Sequence, residues 1–219
     1  RTRLQNAFRE ILKAPITAKF GMLVILTYGF IAIFAPFLTP YSETEIVGPE
    51  FDVWGNEFIL GTDGLGRDML TRLLFGARNT VGIAFITTLL AFVIGGIMGL
   101  LSAIYTGWFD QVASRVVDVL MAIPQLIFAL MLLTIFGTSI PILIIVIATL
   151  DATRIFRVTR AVSLNVVVLD YFEAARLRGE RIFWLCIREI LPNITAPLLA
   201  EFGLRFCFVF LMIAALSFL

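Results

Sequence analysis

Four stretches of this 219-residue chain carry no charged side chain: from Phe20 up to Glu43, Asn79 to Phe109, Val119 to Leu150, and Phe206 to Leu219. A helix needs about 20 mainly apolar residues to cross a hydrocarbon core of about 30 Å, and the first three runs meet that length. The chain is 60% hydrophobic and 15% charged, whereas a water-soluble domain is about a quarter charged. It has too little polar surface to cover itself in water, so the expected fold class is an all-α integral membrane protein, a polytopic helical bundle.

The third run is too long for one span. Its 32 residues would extend about 48 Å as a helix, and Gly137-Thr138-Ser139-Ile140-Pro141 interrupts it with turn residues, ending on a proline that suits a first helical turn. Five spans are therefore expected, at residues 20–38, 80–104, 119–136, 141–160 and 195–219. Arginine and lysine orient them. Residues 1–19 carry five (Arg1, Arg3, Arg9, Lys13, Lys19), and residues 154–195 carry seven. Four spans between them put both on one side, the cytoplasm, with the N-terminus inside. Residues 39–79 set three arginines against seven carboxylates, which suits the outer face. The chain thus divides into a cytoplasmic amphipathic segment (1–19, with Leu4, Phe8, Ile11 and Leu12 at helical spacing), a first span (20–38), an outer loop (39–79) and a core (80–219). The last apolar run stops at Leu219 without a polar exit, so a sixth span is expected beyond it.

Several function classes drop out. There is no histidine, which removes the usual general base and the commonest metal ligand, and two isolated cysteines, Cys186 and Cys207, cannot build a thiolate cluster. No catalytic residue and no metal site are expected, and both cysteines read as small buried apolar groups. A net charge of +1 leaves no excess with which to neutralise a nucleic-acid backbone. No cleavable signal is expected ahead of the first apolar run, which starts after about twenty residues and lacks a small-residue cleavage site. No GxxxxGK[ST] sequence occurs, so no ATP site is expected in the chain.

The inner segment 165–194 is the most informative. From Asp170 it reads as a short helix with Glu173 in its first turn, where a carboxylate suits the helix dipole, and with Ala175 and Gly179 four apart, a small-residue stripe that lets another surface approach. Gly179 has a second reading, as a helix-ending residue in the left-handed conformation. Pro192 marks the start of the fifth span. The triplet Glu173-Ala174-Ala175, then Gly179, then Leu191-Pro192, its proline thirteen residues after the glycine, resembles the EAA loop of inner-membrane permease subunits of ABC importers; Glu189, three before the proline, departs from the isoleucine many of them have there. A second motif, Leu60-Gly-Thr-Asp-Gly-Leu-Gly-Arg-Asp68 continuing to Arg78, resembles the signature before the second helix in one permease of the dipeptide, oligopeptide and nickel importers. Read locally, it is a tight glycine turn capped by Thr62 or Asp63, followed by a helix from Asp68. Asp118, Ile123-Pro124, Arg157, Arg160 and Ala215 to Leu219 extend the resemblance over essentially the whole chain.

That resemblance implies the type I ABC importer (MetI-like) permease fold in a bacterial inner membrane. It implies a homologous second permease, two cytoplasmic ABC ATPases that hold ATP and magnesium, an extracytoplasmic solute-binding protein, and coupling through Glu173, Ala174, Ala175, Arg176 and Gly179. The implied substrates are di- or oligopeptides or a related small solute. A self-contained secondary transporter or channel is the alternative; it would need its own coupling-ion site or inverted repeats, and the sequence has no internal repeat. A structural membrane scaffold would have no need of the spaced inner loop.

Charges within the spans are candidates for function. Glu201 and Arg205, four apart on the fifth span, read as an ion pair that either lines the pathway or supports packing. Asp151 is expected to pair with Arg154. Gly95, Gly96 and Gly99 resemble a small-xxx-small packing face, and most of the 21 phenylalanines are assigned to lipid contact and packing.

Overall fold

In a computed structural model of the protein, residues 15–55 and 57–218 are described. The amphipathic segment expected within residues 1–19 therefore lies mostly outside them. The chain forms two compact units, one ending at Gly82 and the other beginning at Ile83.

In the first unit, helix α1 (Ile16–Leu38) buries only Ala35. It is apolar all round, with Phe20, Leu23, Ile25 and Phe37 exposed, the surface of a helix solvated by lipid. The loop that follows is held by polar contacts. The Asp63 carboxylate accepts the backbone N–H of Leu65 (2.8 Å) and of Arg67 (3.0 Å), and its other oxygen meets Arg67 Nε (2.9 Å) and Arg72 Nη1 (2.6 Å). Thr62 Oγ1 donates to the Pro49 carbonyl (2.6 Å) and accepts from Asp52 N–H (2.8 Å), stitching the turn to the preceding chain. Gly61 and Gly66 have φ of +74° and +70°, a region a β-carbon disfavours, which explains the glycine-rich motif. Asp68 then opens helix α2 (Met69–Ile104) by accepting from Thr71 N–H and Oγ1, at 2.8 and 2.6 Å. Of the two turn caps expected, Thr62 and Asp63, it is Asp63 that accepts the backbone N–H groups within the turn, while Thr62 ties the turn to Pro49 and Asp52; Asp68, expected as the first helical residue, caps the helix.

The second unit comprises the rest of α2, α3 (Trp108–Ala122), α4 (Gln125–Phe136), α5 (Ile140–Val167), α6 (Asp170–Leu177) and α7 (Ile182–Phe218). The break between α4 and α5 falls at Gly137–Ser139, with Pro141 in the first turn of α5, as turn chemistry predicts. Two expectations are corrected. The span expected at 119–136 is two helices, α3 and α4, which meet at 91° across Ile123-Pro124; Pro124 disfavours helical geometry at Ile123, and α3 starts at Trp108 in what read as a loop. The fifth span, expected from 195, is instead the upper part of a helix starting at Ile182. Its chain passes Pro192 through a π-helical turn, Leu185–Ile190, in which Leu191 N–H donates to the Cys186 carbonyl, five residues back.

By length and composition, α1, α2 and α7 can each cross a membrane, and the bent α3–α4 pair adds a fourth crossing if taken as one. At 28 residues α5 is long enough too, but it carries Asp151, Arg154, Arg157 and Arg160. Packing in this unit depends on close approach. A β-carbon on Gly95 would stand 2.9 Å from Ile155 Cβ, and one on Gly99 would stand 2.8 Å from Thr159 Cβ, whereas Gly96 faces open space. Two of the three glycines thus form the packing face, α2 against α5, beside buried Ala91, Ala148 and Ala152. Cys186 is half-buried, but Cys207 is exposed on α7, contrary to the burial expected of it; a lipid-facing surface accommodates a thiol as readily as a core does.

Gly95→Val and Gly99→Val are expected to lower stability by about 1–3 kcal/mol through overpacking, read as a lower thermal transition of the purified protein in detergent, with Gly96→Val close to unchanged. A second outcome concerns the outer loop. The Arg67 backbone N–H, then the Leu65 N–H and the Arg67 guanidinium, hold the Asp63 carboxyl well below its ordinary 3.8, outweighing the upward push of desolvation. Asp63 therefore binds its proton less readily folded than unfolded, so its contribution is complete at neutral pH and falls away as the pH drops below about 3.8. Amide exchange at Leu65 and Arg67, corrected for intrinsic rates, should quicken in that range. In Asp63→Asn it should be fast already at neutral pH.

Candidate functional site

Two places gather the residues singled out by the sequence: the inner segment, and the middle of α5 and α7.

On the inner segment, α6 spans eight residues with Asp170 and Glu173 in its first turn and Arg176 in its last, each suited to the helix dipole. Its end is a Schellman motif. Gly179 N–H donates to the Arg176 carbonyl (3.0 Å) and Glu180 N–H to that of Ala175 (3.4 Å), with Gly179 at φ +81°. The short helix expected from Asp170 therefore stops at Leu177, and a new one begins at Ile182. The small-residue stripe is corrected as well. Ala175 is fully buried, packed with Phe172, Ile104, Val166 and Ile190 in the protein's own core, and a β-carbon on Gly179 would meet nothing within 4 Å. Of the two readings of Gly179, the geometry shows the left-handed helix end. The face left exposed carries Glu173, Ala174, Arg176 and Leu177, with Leu177 81% and Phe183 77% exposed. Asn193 Nδ2, donating to Tyr171 Oη at 3.1 Å, ties α6 to α7.

In the middle of the helices, Arg205 is buried between two carboxylates. Its Nε lies 2.7 Å from Glu201 Oε1, and its Nη1 lies 3.6 Å from Asp151 Oδ1 on α5. Both contacts are ion pairs, and among the described residues Nε, Nη1 and Asp151 Oδ2 have no hydrogen-bond partner. The guanidinium also lies over the Phe208 ring, 5.1 Å from its centroid. The expected pair within one helix, Asp151 with Arg154, is corrected: Asp151 pairs across helices with Arg205, and Arg154 makes no ion pair among the described residues. Sequence spacing favours neighbours on one helix, and it cannot show that α7 brings a cation to the same depth.

A third charged group escaped the sequence reading. Asp110, at the start of α3, is held by both Nε and Nη2 of Arg160 on α5, the latter at 2.5 Å, and accepts from Ser102 Oγ. The available signal was one carboxylate ending the uncharged run at Phe109, opposite an arginine-rich helix. Arg157, by contrast, is exposed, its Nη1 3.7 Å from Met121 Sδ.

Comparison with known proteins agrees with this architecture. Residues 93–219 match the family described as binding-protein-dependent transport system inner membrane component. The chain is similar to the dipeptide transport system permease protein DppC of Haemophilus influenzae, with 33% identity over 209 residues, 92% of this chain and 71% of the relative. It is 34% identical over 206 residues to the di/tripeptide transport system permease protein DppC of Pseudomonas aeruginosa, covering 91% of this chain and 68% of that one. It is 30% identical over 226 residues to the glutathione transport system permease protein GsiD of Pectobacterium atrosepticum, covering all of this chain and 73% of the relative.

Because Arg205 serves two carboxylates, Arg205→Ala is expected to destabilise the protein by about 3–5 kcal/mol, the cost of stranding buried charge. Glu201→Ala should cost less, since Arg205 keeps Asp151. Removing Glu201 and Arg205 together should not rescue the loss, because Asp151 remains uncompensated. Thermal unfolding of the three variants in detergent checks the order.

Proposed function

The chain belongs to the family of binding-protein-dependent transport system inner membrane components, multi-pass proteins of the inner membrane, and from that premise we propose that it forms half of the translocation pathway of an ATP-driven importer of short peptides. In this reading a homologous second permease supplies the other half, an extracytoplasmic binding protein delivers the substrate, and two cytoplasmic ATPases hold ATP and magnesium and carry out hydrolysis. This chain's own task is conduction and coupling rather than catalysis. The similarity to permeases named for dipeptides, tripeptides and glutathione supports the peptide class.

The observation that carries the coupling reading is the exposed face of α6. A short helix anchored by Phe172 and Ala175 in the core presents Glu173, Ala174, Arg176 and the apolar Leu177, with Phe183 beside them. Exposed apolar groups among charges on a rigidly seated helix fit a docking surface. Seated in an ATPase groove, α6 would pass the closing motion of the ATPases to α5 and α7, which share its core. The topology goes with it: five spans, with residues 1–19 and 161–194 cytoplasmic and 40–78 outside, consistent with the arginine distribution.

Leu177→Asp and Arg176→Glu are expected to give an inserted permease that no longer retains its ATPases on co-purification. Gly179→Asn should retain them better than Gly179→Ala, because asparagine tolerates the left-handed conformation; a β-carbon there costs about 1 kcal/mol. Full ATPase retention and ATP-driven uptake in Leu177→Asp would overturn the docking face. Labelling of a cysteine at position 178 from outside intact cells would overturn the topology.

A further inference from the structure

A cavity of about 350 Å³ opens beside the buried charges, lined by Gln125, Asp151 and Arg154 at one end and by Phe208, Leu211 and Met212 among its apolar walls. Its polar end has unspent capacity. Asp151 is 1% exposed, yet among the described residues its Oδ2 has no hydrogen-bond partner and its one ion-pair contact is a long one, 3.6 Å to Arg205, which lies closer to Glu201 at 2.7 Å. One guanidinium thus serves two carboxylates, leaving an excess negative charge at Asp151. Arg154 has the converse deficit, a half-buried cation with no ion pair among the described residues. A buried polar group left unpaired costs free energy, and within a span such groups face protein or a polar pathway. Asp151 and Arg154 sit near the midpoint of the 28-residue α5, and carriers of other kinds bind their solutes near the middle of their spans.

We propose that this cavity is a subsite for the backbone ends of a zwitterionic peptide, with Asp151 taking the ammonium, Arg154 and the Gln125 amide taking the carboxylate, and the Phe208–Met212 wall taking an apolar side chain. The two charged residues are three apart on one helix, with β-carbons about 5–6 Å apart. A dipeptide reaches about 7 Å, and the long arginine side chain spans the difference. A carboxylate torsion is soft, so Oδ2 turns to a ligand without breaking a hydrogen bond of its own. The assignment suits a carrier of varied peptides, since both termini are common to them all. It rests on the peptide reading above.

The test is equilibrium binding of radiolabelled dialanine to the purified complex of both permeases and the ATPases, without the binding protein, so that recognition elsewhere does not intervene. N-acetyl-dialanine and alanyl-alaninamide, each lacking one charge, serve as competitors. Asp151→Asn is expected to weaken dialanine binding at least tenfold and to abolish its advantage over the N-acetyl compound. Arg154→Gln should abolish the advantage over the amide instead. Unchanged dialanine affinity and unchanged discrimination in both variants would overturn the subsite, as would no saturable binding by the unmutated complex. Loss of subunit co-purification in Asp151→Asn would also overturn it, by assigning the carboxylate to a partner's cation. ATP-driven uptake of dialanine by the unmutated complex with its binding protein separates the two readings: uptake without a subsite effect refutes only the subsite, and absence of any peptide uptake refutes the peptide reading.

Discussion

A charge buried among apolar helices has to be answered within the protein, and that constraint organises residues 83–218. Apolar side chains gain little by leaving lipid for one another, so helix positions are set by close backbone approach and by paired polar groups. Arg205 answers Glu201 on its own helix and Asp151 on α5, which fixes both the rotation and the depth of α7 against α5. Asp110 and Arg160 do the same for α3. Between these clasps, Gly95 and Gly99 let α2 lie directly on the backbone of α5. α5, with four charged residues, is thus the helix on which α2, α3 and α7 converge.

The loop between α1 and α2 uses the same chemistry at an exposed surface. Asp63 gathers two backbone N–H groups and two arginines, and Thr62 ties the turn to Pro49 and Asp52. Here screening weakens each pair, so order comes from several bonds converging on one carboxylate in a turn that the positive φ of Gly61 and Gly66 makes accessible.

What the sequence made legible were the features encoded within a few neighbouring residues. The long uncharged runs gave the membrane class, Gly137 to Pro141 gave the α4–α5 break, and the Glu173-Ala174-Ala175 segment gave a short inner helix. What stayed hidden depended on partners distant along the chain. Asp151 looked like the mate of Arg154, three residues away, because nothing local reveals Arg205; Ala175 looked available to a partner because nothing local reveals Ile104 and Ile190 around it. The Ile123-Pro124 bend was a local signal overridden by the apolar length around it.

The π-helical turn at Leu185–Ile190 sets how the inner segment and the membrane share one rod. A π turn takes in one residue more than an α turn, and each residue of an α-helix advances about 100°. The side chains below the turn are therefore keyed out of phase with Glu201 and Arg205 above it, by about that angle relative to an unbroken helix. Both Leu185 and Ile190 are buried, which locks the offset in place. A torque applied at the inner end would reach mid-membrane along a different stripe from the one on which it was applied, so the helix acts as an angular adapter between the two.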